Sequence, residues 1–400
     1  MSDEAPGRRW PRRLLIGVVA LLVLFYAGGG FYFSNVLNER ALDGAARRAS
    51  LDPDYDLVVR DVAGRAITIT PDGDPGDLDQ EGAFGLRWEG GYGQVRHILG
   101  TDGDAITRRF LLISGGPPSD GTPAELEVRA WPDPESAGLA SQDVVVNGPL
   151  GEYPAWFVPG DRDTWAIVVH GNSMSRLDGL RMVPIAVDAG FPTLVPTYRN
   201  DTGAPEDPSG KLRYGLTEWR DLEAAVRYAL DNGAKDVVLA GYSMGGGVIM
   251  AFLQRSKLRK DVRAVMLDAP MLDFSATVDD NASREEIAPG VPLPSSLTAV
   301  AKQIAAWRFG VEWNQLDYLA NGAKGYDVPF LVFHGTADTT VPIATSEEFA
   351  KLRPHLVTLV RCPEAEHIAC WNLDPDAYAT AVTHFLEERV GAQVAPGATA

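Results

Sequence analysis

The stretch VVLAGYSMGGG, residues 237–247, decides the fold of this chain. Its first four residues belong to an apolar run at 236–240 that predicts a buried strand, and a helical pattern begins at Gly246. Between them lies the pattern G-x-S-x-G, with Ser243 at its centre. A strand that turns sharply into a helix strains the central residue, and glycine on either side avoids clashes. The stretch therefore predicts a serine at a strand-to-helix turn, facing the positive end of the helix.

A serine hydroxyl at such a turn is a weak nucleophile unless it has a base, and the base needs a carboxylate to orient it. Asp338 follows a predicted strand at 329–334, where the carboxyl end of the strand meets a loop. Open α/β sheets place their chemistry at this edge. Asp268, after the predicted strand 262–267, is the alternative, and its loop context favours it less. Asp338 is therefore the predicted acid.

Three histidines follow the predicted acid along the chain. His384 belongs to a predicted terminal helix and His355 precedes a strand, so both are expected to be structural. His367 lies in a loop after the predicted strand 356–361, at the expected edge of the sheet. His367 is therefore the predicted base for Ser243, against the alternative of an ordinary surface histidine.

An oxyanion formed during acyl transfer needs backbone N–H donors near the same sheet edge. Met244, directly after the predicted nucleophile, is expected to supply one of them. The other is expected from the turn at 170–173, which ends the predicted strand 165–170, and Asn172 is the best donor there. His170 itself is expected to be buried and to hold the turn.

From about residue 125 onward, predicted strands alternate with predicted helices, which is typical of a mostly parallel sheet with helices on both faces. Residues 51–124 instead contain short alternating runs between Gly, Asp and Pro clusters, and these predict a β-rich accessory region. Residues 391–400 are expected to be a disordered tail. The strands of the sheet are predicted at 165–170, 191–196, 236–240, 262–267, 329–334 and 356–361.

Residues 125–390 resemble the α/β-hydrolase family, because the turn at 170–171, the elbow at 241–245, Asp338 and His367 follow one another in that family's order. The resemblance implies an α/β-hydrolase fold, with a mostly parallel eight-stranded sheet, and a Ser-Asp-His triad. The chain looks most similar to bacterial membrane-anchored members, esterase-like or peptidase-like, that carry an extra N-terminal region.

The family often inserts a lid after the sixth strand, and residues 271–325 are long enough to form a lid-like insertion. Trp307 and Trp313 in this segment are predicted to line an acyl or aromatic pocket, with ordinary packing as an equal alternative. Arg199 is a further candidate, which would bind a substrate carboxylate; a structural ion pair is the favoured alternative.

Two cysteines, Cys362 and Cys370, stand on either side of His367. Outside the cytoplasm they could form a disulfide that clips the catalytic loop. Two buried free thiols remain an equal alternative, because the sequence does not give the distance between the two Cα atoms.

The N-terminus predicts a membrane anchor. Residues 14–33 are a run of 20 residues without charge, which as a helix spans about 30 Å. Four arginines within residues 1–13 predict a cytoplasmic tail, so the chain would cross the cell membrane once and place its catalytic domain outside the cytoplasm. Residues 34–50 are predicted to be a stalk. A cleaved signal peptide is less favoured, because the run is long and no A-x-A-like site follows closely.

Composition excludes some classes of function. The formal charge of -18 repels phosphate backbones, so nucleic acid is not an expected partner. No H-E-x-x-H motif or zinc-spaced cluster is present, and neither a metal nor a cofactor is expected. The predicted activity is cleavage of a small-molecule or lipid-like carboxylic ester through an acyl-serine. Peptidase, amidase or thioesterase activity is the closest alternative, and a non-catalytic envelope-surface binding protein is the alternative of another class.

Overall fold

The structure is a computed structural model that describes residues 10–72, 78–322 and 325–391. Residues 1–9 of the predicted cytoplasmic tail lie outside this described part. Residues 392–400 of the predicted disordered tail lie outside it as well.

The described chain begins with helix α1, Trp10–Leu37, which continues as a short π-helix, Asn38–Leu42. The stretch Leu14–Leu42 is long and apolar enough to cross a membrane, by length and composition. Its apolar side chains are mostly exposed, as expected of a helix that does not belong to the core of a soluble domain. Helix α2, Gly44–Ala49, follows, and Asp43 caps its first turn.

Residues 34–50, which the sequence predicts to be a stalk, are helical and pack against the C-terminal domain. The N–H of Leu212 donates to the carbonyl oxygen of Leu42 at 2.8 Å. The hydroxyl of Tyr214 donates to the carbonyl oxygen of Ala41 at 3.0 Å. The segment is therefore part of the folded body and not a free spacer.

Six antiparallel strands form a closed barrel in the order β1-β2-β5-β4-β3-β6, and β6 pairs back with β1. Alternate side chains point inward, so that Ile67 and Ile69 are fully buried in its core. The β-rich N-terminal region is thus confirmed, and its closure is a feature that the sequence did not predict. The strands are β1 Leu57–Ala63, β2 Ala66–Pro71, β3 Phe84–Trp88, β4 Gly91–Asp102, β5 Ala105–Gly115 and β6 Pro123–Glu127.

The C-terminal domain contains an eight-stranded sheet in the order β16-β15-β12-β11-β9-β10-β8-β7, in which only the pairs β7-β8 and β8-β10 are antiparallel. This confirms the predicted mostly parallel sheet. The strands are β7 Gln142–Gly148, β8 Gly151–Val158, β9 Thr164–Val169, β10 Thr193–Pro196, β11 Asp236–Tyr242, β12 Val262–Asp268, the separate hairpin of β13 Glu286–Ala288 and β14 Val291–Pro292, then β15 Phe330–Gly335 and β16 Val357–Cys362.

Helices cover both faces of this sheet, as predicted. In β9, Ile167 joins one core together with Leu222, whereas its neighbour Val168 joins a second core together with Val382. Strand β9 is therefore buried on both faces, as is typical of a strand inside a parallel sheet. The helices are α3 Val183–Asp188, α4 Trp219–Asp231, α5 Met244–Arg255, α6 Phe274–Ser283, α7 Ser295–Phe309, α8 Tyr318–Gly322, α9 Ile343–Leu352, α10 Cys370–Leu373 and α11 Pro375–Val390.

Helices α6, α7 and α8 and the small hairpin lie between β12, the sixth strand of the sheet in chain order, and β15. They occupy the position of the lid-like insertion expected at 271–325. Helix α7 packs along α1, where Gly30 allows a close approach: a Cβ atom there would lie 2.7 Å from Cγ1 of Val300.

Candidate active site

Ser243 lies at the turn between β11 and α5. Its backbone adopts φ 49° and ψ -118°, a conformation that is strained for any residue other than glycine. Its N–H donates to the carbonyl oxygen of Asp268 and its own carbonyl oxygen accepts from the N–H of Met271, both at 3.0 Å. A Cβ atom at Gly245 would lie 2.6 Å from the carbonyl oxygen of His170. A glycine there lets the elbow pack against the end of β9.

His367 and Asp338 are hydrogen-bonded to each other. Nδ1 of His367 lies 2.8 Å from Oδ2 of Asp338. The N–H groups of Thr340 and Val341 donate to the other carboxylate oxygen, Oδ1, at 2.8 and 2.9 Å. Nε2 of His334 lies 3.3 Å from Oδ2. The carboxylate is thus held by backbone on one oxygen and by imidazole nitrogens on the other.

The charge of Asp338 follows from these contacts. Burial raises its pKa, but hydrogen bonds from His334 and His367 outweigh that effect, so the pKa lies well below its ordinary value. An ionised carboxylate beside Nδ1 favours the tautomer of His367 that carries its proton there. Nε2 is then left unprotonated and able to accept a proton.

Asp268, the alternative acid, ends β12 and is completely buried. Burial raises its pKa from 3.8 to about 6, which Arg181 and Tyr378 oppose only in part. Among the described residues, the hydrogen bond of His367 goes to Asp338 and not to Asp268. The structure therefore brings the predicted acid, and not its alternative, to the histidine.

The raised pKa of Asp268 predicts that the free energy of unfolding depends on pH. Because the folded chain holds this proton more tightly than the unfolded chain, the contribution of Asp268 to stability falls as pH rises from about 4 to about 6. The shift from 3.8 to about 6 corresponds to about 3 kcal/mol in the free energy of unfolding. We expect Asp268→Asn to flatten this pH dependence in chemical unfolding of the detergent-solubilised chain. Asp231→Asn, at an exposed position, should leave this pH dependence unchanged. If the free energy of unfolding changed equally with pH in both variants and the wild type, the prediction would be contradicted.

The two predicted oxyanion donors lie near Ser243, one next to it in the chain and the other in the wall of the same cavity. Met244 is the first residue of α5, where an N–H has no partner within the helix. Asn172 lies in the wall of the cavity that also contains Ser243. Its side-chain amide donates to the hydroxyl of Tyr214 at 3.4 Å and its side-chain oxygen accepts from the N–H of Ser173 at 2.9 Å. Their role as oxyanion donors stays a prediction.

A buried network of charged and polar side chains supports the turn at 170–173. Nε2 of His170 lies 2.9 Å from Oδ2 of Asp201, and Nη1 of Arg47 lies 2.5 Å from Oδ1 of the same residue. Arg47, which comes from α2, also donates to the carbonyl oxygen of Met174 at 3.0 Å. The side chains of Arg47, His170 and Asp201 are almost fully buried. His170 is thus buried, as predicted, and its support comes from the segment expected to be a stalk.

Removing Arg47 is expected to destabilise the fold strongly, because Asp201 would remain buried without its cation. We expect Arg47→Met to lower the free energy of unfolding by about 3 to 5 kcal/mol. The adjacent Arg48 pairs with exposed Glu206 at 2.7 Å, so Arg48→Met is the matched control and should cost about 1 kcal/mol or less. Chemical unfolding of both variants measures the difference, and equal losses would refute the role assigned to Arg47.

None of the three predicted substrate-binding residues lies in the wall of the cavity that contains Ser243, and their contact with a substrate stays a prediction. Arg199 is buried and its guanidinium pairs with Asp221 at 2.7 Å and with Asp207 at 3.0 Å, which is the structural ion pairing favoured as the alternative. Trp307 is 83% exposed on the outer side of α7. Trp313 stacks behind Phe274, with ring centroids 5.5 Å apart.

A disulfide joins Cys362 and Cys370, whose Cα atoms are 5.5 Å apart. The sequence left this pairing open against two free thiols. The eight-residue span contains His367, so the loop that carries the imidazole is closed at both ends. Arg181, buried beneath it, donates to the carbonyl oxygen of Ile368 at 2.5 Å. The disulfide and this buried cation restrict the loop on both sides of the histidine.

A cavity of about 940 Å³ contains Ser243 and His367 in its wall. This volume is at the upper end of the range for ligand pockets. Three further regions contribute to its wall: Leu37 at the end of α1, Glu127 from the barrel and Phe274 from the insertion. The sequence analysis missed the first two regions. The one available signal was the position of Leu37 shortly after the uncharged run.

Comparisons with known proteins agree with this architecture. Residues 166–381 match the sequence model of the alpha/beta hydrolase family. The uncharacterized protein YfhR of Salmonella typhimurium is 23% identical over 256 residues, which are 60% of this chain and 78% of that protein. The esterase Pf2001 of Pyrococcus furiosus has a TM-score of 0.50 and 21% identity, over 65% of this chain and 96% of that one. Another crystal form of that esterase gives a TM-score of 0.51. At such identities these structures show the fold alone. Since the family match covers more than half of the sequence, the chain belongs to the α/β-hydrolase family.

Proposed function

We propose that the protein is a serine hydrolase that cleaves carboxylic esters, with Ser243 as nucleophile, His367 as general base and Asp338 as the orienting acid. The observation that carries this proposal is the 2.8 Å hydrogen bond between His367 and Asp338, beside the cavity that Ser243 also lines. The fold that the chain shares with the esterase Pf2001 supports an ester substrate.

In the proposed mechanism, Nε2 of His367 takes the proton of the Ser243 hydroxyl as the oxygen attacks the ester carbonyl. The N–H groups of Met244 and Asn172 stabilise the oxyanion that forms. When the intermediate collapses, His367 gives the proton to the leaving alcohol and an acyl-serine remains. His367 then deprotonates a water molecule that attacks the acyl group, which releases the carboxylic acid and restores the serine.

A substrate panel tests the activity. The detergent-solubilised full chain would be incubated with chromogenic esters, matched amides and thioesters, and separately with a fluorophosphonate probe. We expect ester turnover to exceed amide turnover and the probe to label Ser243. Preferred turnover of amides or thioesters would reassign the substrate class. A folded protein that neither labels nor turns over any substrate would favour the non-catalytic alternative.

The proposal also places the catalytic domain outside the cytoplasm, on a membrane anchor. The uncharged helix after an arginine-rich segment supports this topology, as does the disulfide, since disulfides persist in oxidising compartments. An alkaline phosphatase fused to the C-terminus should be active, and a green fluorescent protein at the same place should be dark. The reverse result would place the domain in the cytoplasm.

A further inference from the structure

The cavity that contains Ser243 extends to the anchor helix. Phe33, Val36 and Leu37, at the end of α1, form part of its wall together with Ser243 and His367. A helix that served only as a membrane anchor would not need to form part of the wall of this cavity.

The position of this wall along the helix places it at the membrane surface. The uncharged run 14–33 spans about 30 Å as a helix. Phe33 is its last residue, and Leu37 lies about 6 Å further along the axis. The cavity therefore begins where the proposed bilayer ends, on the side of the catalytic domain.

Helix α7 of the insertion lies beside α1 near the proposed membrane surface. The hydroxyls of Tyr26 and Ser296 lie 2.8 Å apart, and Tyr26 is seven residues inside the uncharged run, about 10 Å from its end. At the other end of the contact, Arg308 donates to side-chain oxygens of Ser34 and Asn35, both at 2.8 Å. The N-terminal part of α7 thus lies beside the outer third of the anchor helix.

The insertion also exposes apolar side chains on its outer surface. Trp307 is 83% exposed, and in the hairpin Ile287 and Val291 are 38% and 45% exposed. Exposure of these apolar side chains to water is unfavourable in free energy. At the boundary of a bilayer, by contrast, tryptophan and aliphatic side chains are favoured. Because α7, which carries Trp307, packs along α1, a bilayer around α1 would reach this surface.

Part of the cavity wall that these elements form is apolar and suits an acyl chain, while Arg40, Glu285 and Lys302 supply charged groups to the same wall. Leu37 on one side and Val278, Leu293 and Ala301 on the other face the cavity. Resting on the proposed esterase activity, we infer that the substrate is a long-chain acyl ester of a bilayer lipid, which enters the cavity from the adjacent leaflet at the end of α1. Its acyl chain lies along Leu37 and Val278, and its ester carbonyl reaches Ser243.

The inference can be tested with the unmodified full chain. The substrate lipid is placed either in the membrane that holds the protein or in a separate membrane. The protein would be reconstituted into vesicles of phosphatidylcholine and phosphatidylglycerol. A fluorogenic palmitoyl ester lipid would be placed in the same vesicles or in separate ones, and a soluble butyrate ester would be the reference. We expect turnover of the palmitoyl ester in the same vesicles to exceed turnover across vesicles by about tenfold or more. Equal rates would overturn the inference.

A variant pair locates the path. Val36→Trp, which narrows the cavity, should lower the ratio of palmitoyl to butyryl kcat/KM by about tenfold or more. Leu24→Trp, on an exposed part of α1 outside the cavity, should leave this ratio at its wild-type value. Equal ratios in both variants would overturn the inference. Turnover of butyrate without a membrane preference would leave the esterase proposal intact, whereas absence of turnover with both esters would overturn the proposed function itself.

Discussion

Replacing Ser243 by alanine is expected to lower kcat for an ester substrate by about 10⁵-fold to 10⁶-fold. Alanine removes the oxygen that is proposed to attack the carbonyl, and the proposed oxyanion donors and the cavity alone would retain only a small part of the acceleration. The strained backbone at φ 49° tolerates alanine about as well as serine, so the fold should persist. Steady-state turnover and labelling by a fluorophosphonate probe measure the effect.

Ser119→Ala provides the control, because this serine is exposed in a loop of the barrel region. It should label and turn over substrate like the wild type. Labelling of a folded Ser243→Ala chain would assign the nucleophile to another residue and refute the mechanism.

Asp338→Asn should lower kcat by about 10⁴-fold while the fold is retained. The reason lies in the fixed orientation of the side chain. Two N–H groups, from Thr340 and Val341, donate to Oδ1, so the asparagine oxygen must stay there and the amide must face Nδ1 of His367. A donor at that position favours the tautomer with the proton on Nε2. That nitrogen could then no longer accept the proton of Ser243.

Asp268→Asn is the matched control for this substitution, at the end of the neighbouring strand. Because its side chain makes no hydrogen bond to His367, we expect a loss in kcat of less than about tenfold. The measurement is kcat for one chromogenic ester across both variants, with circular dichroism as the check on folding. A larger loss in Asp268→Asn than in Asp338→Asn would make Asp268 the acid.

Six strands of the sheet could be predicted from the sequence because most of them are apolar runs buried on both faces, whereas β7 and β8, which are partly exposed, were not predicted. The predicted run 236–240 corresponds to β11, Asp236–Tyr242, and the other predicted strands agree similarly closely. Residues at the carboxyl ends of such strands meet at one edge. For this reason Asp338 and His367 were found together although a strand and a helix separate them along the chain.

The features that the sequence did not predict are contacts that no local pattern records. Helical spacing marked Trp307 as part of an apolar face, but spacing does not tell which neighbour that face meets, and Trp307 lies on the outside. Arg47 lies among small residues in a segment that resembles a spacer. Its partner Asp201 is distant in sequence, so only the folded chain brings them together. Closure of the barrel likewise depends on pairing between β1 and β6, its first and last strands.

The burial of Arg47 has a consequence for release of the domain by proteolysis. A protease that cuts within the π-helix, Asn38–Leu42, would leave α2 on the hydrolase domain, and the shed enzyme would keep the cation that Asp201 requires. A cut after Ser50 would free a fragment of nearly equal size that has lost it. With the proposed topology, proteolytic release would therefore yield either a persistent soluble enzyme or a short-lived one, and a difference of about ten residues in the cleavage position decides which.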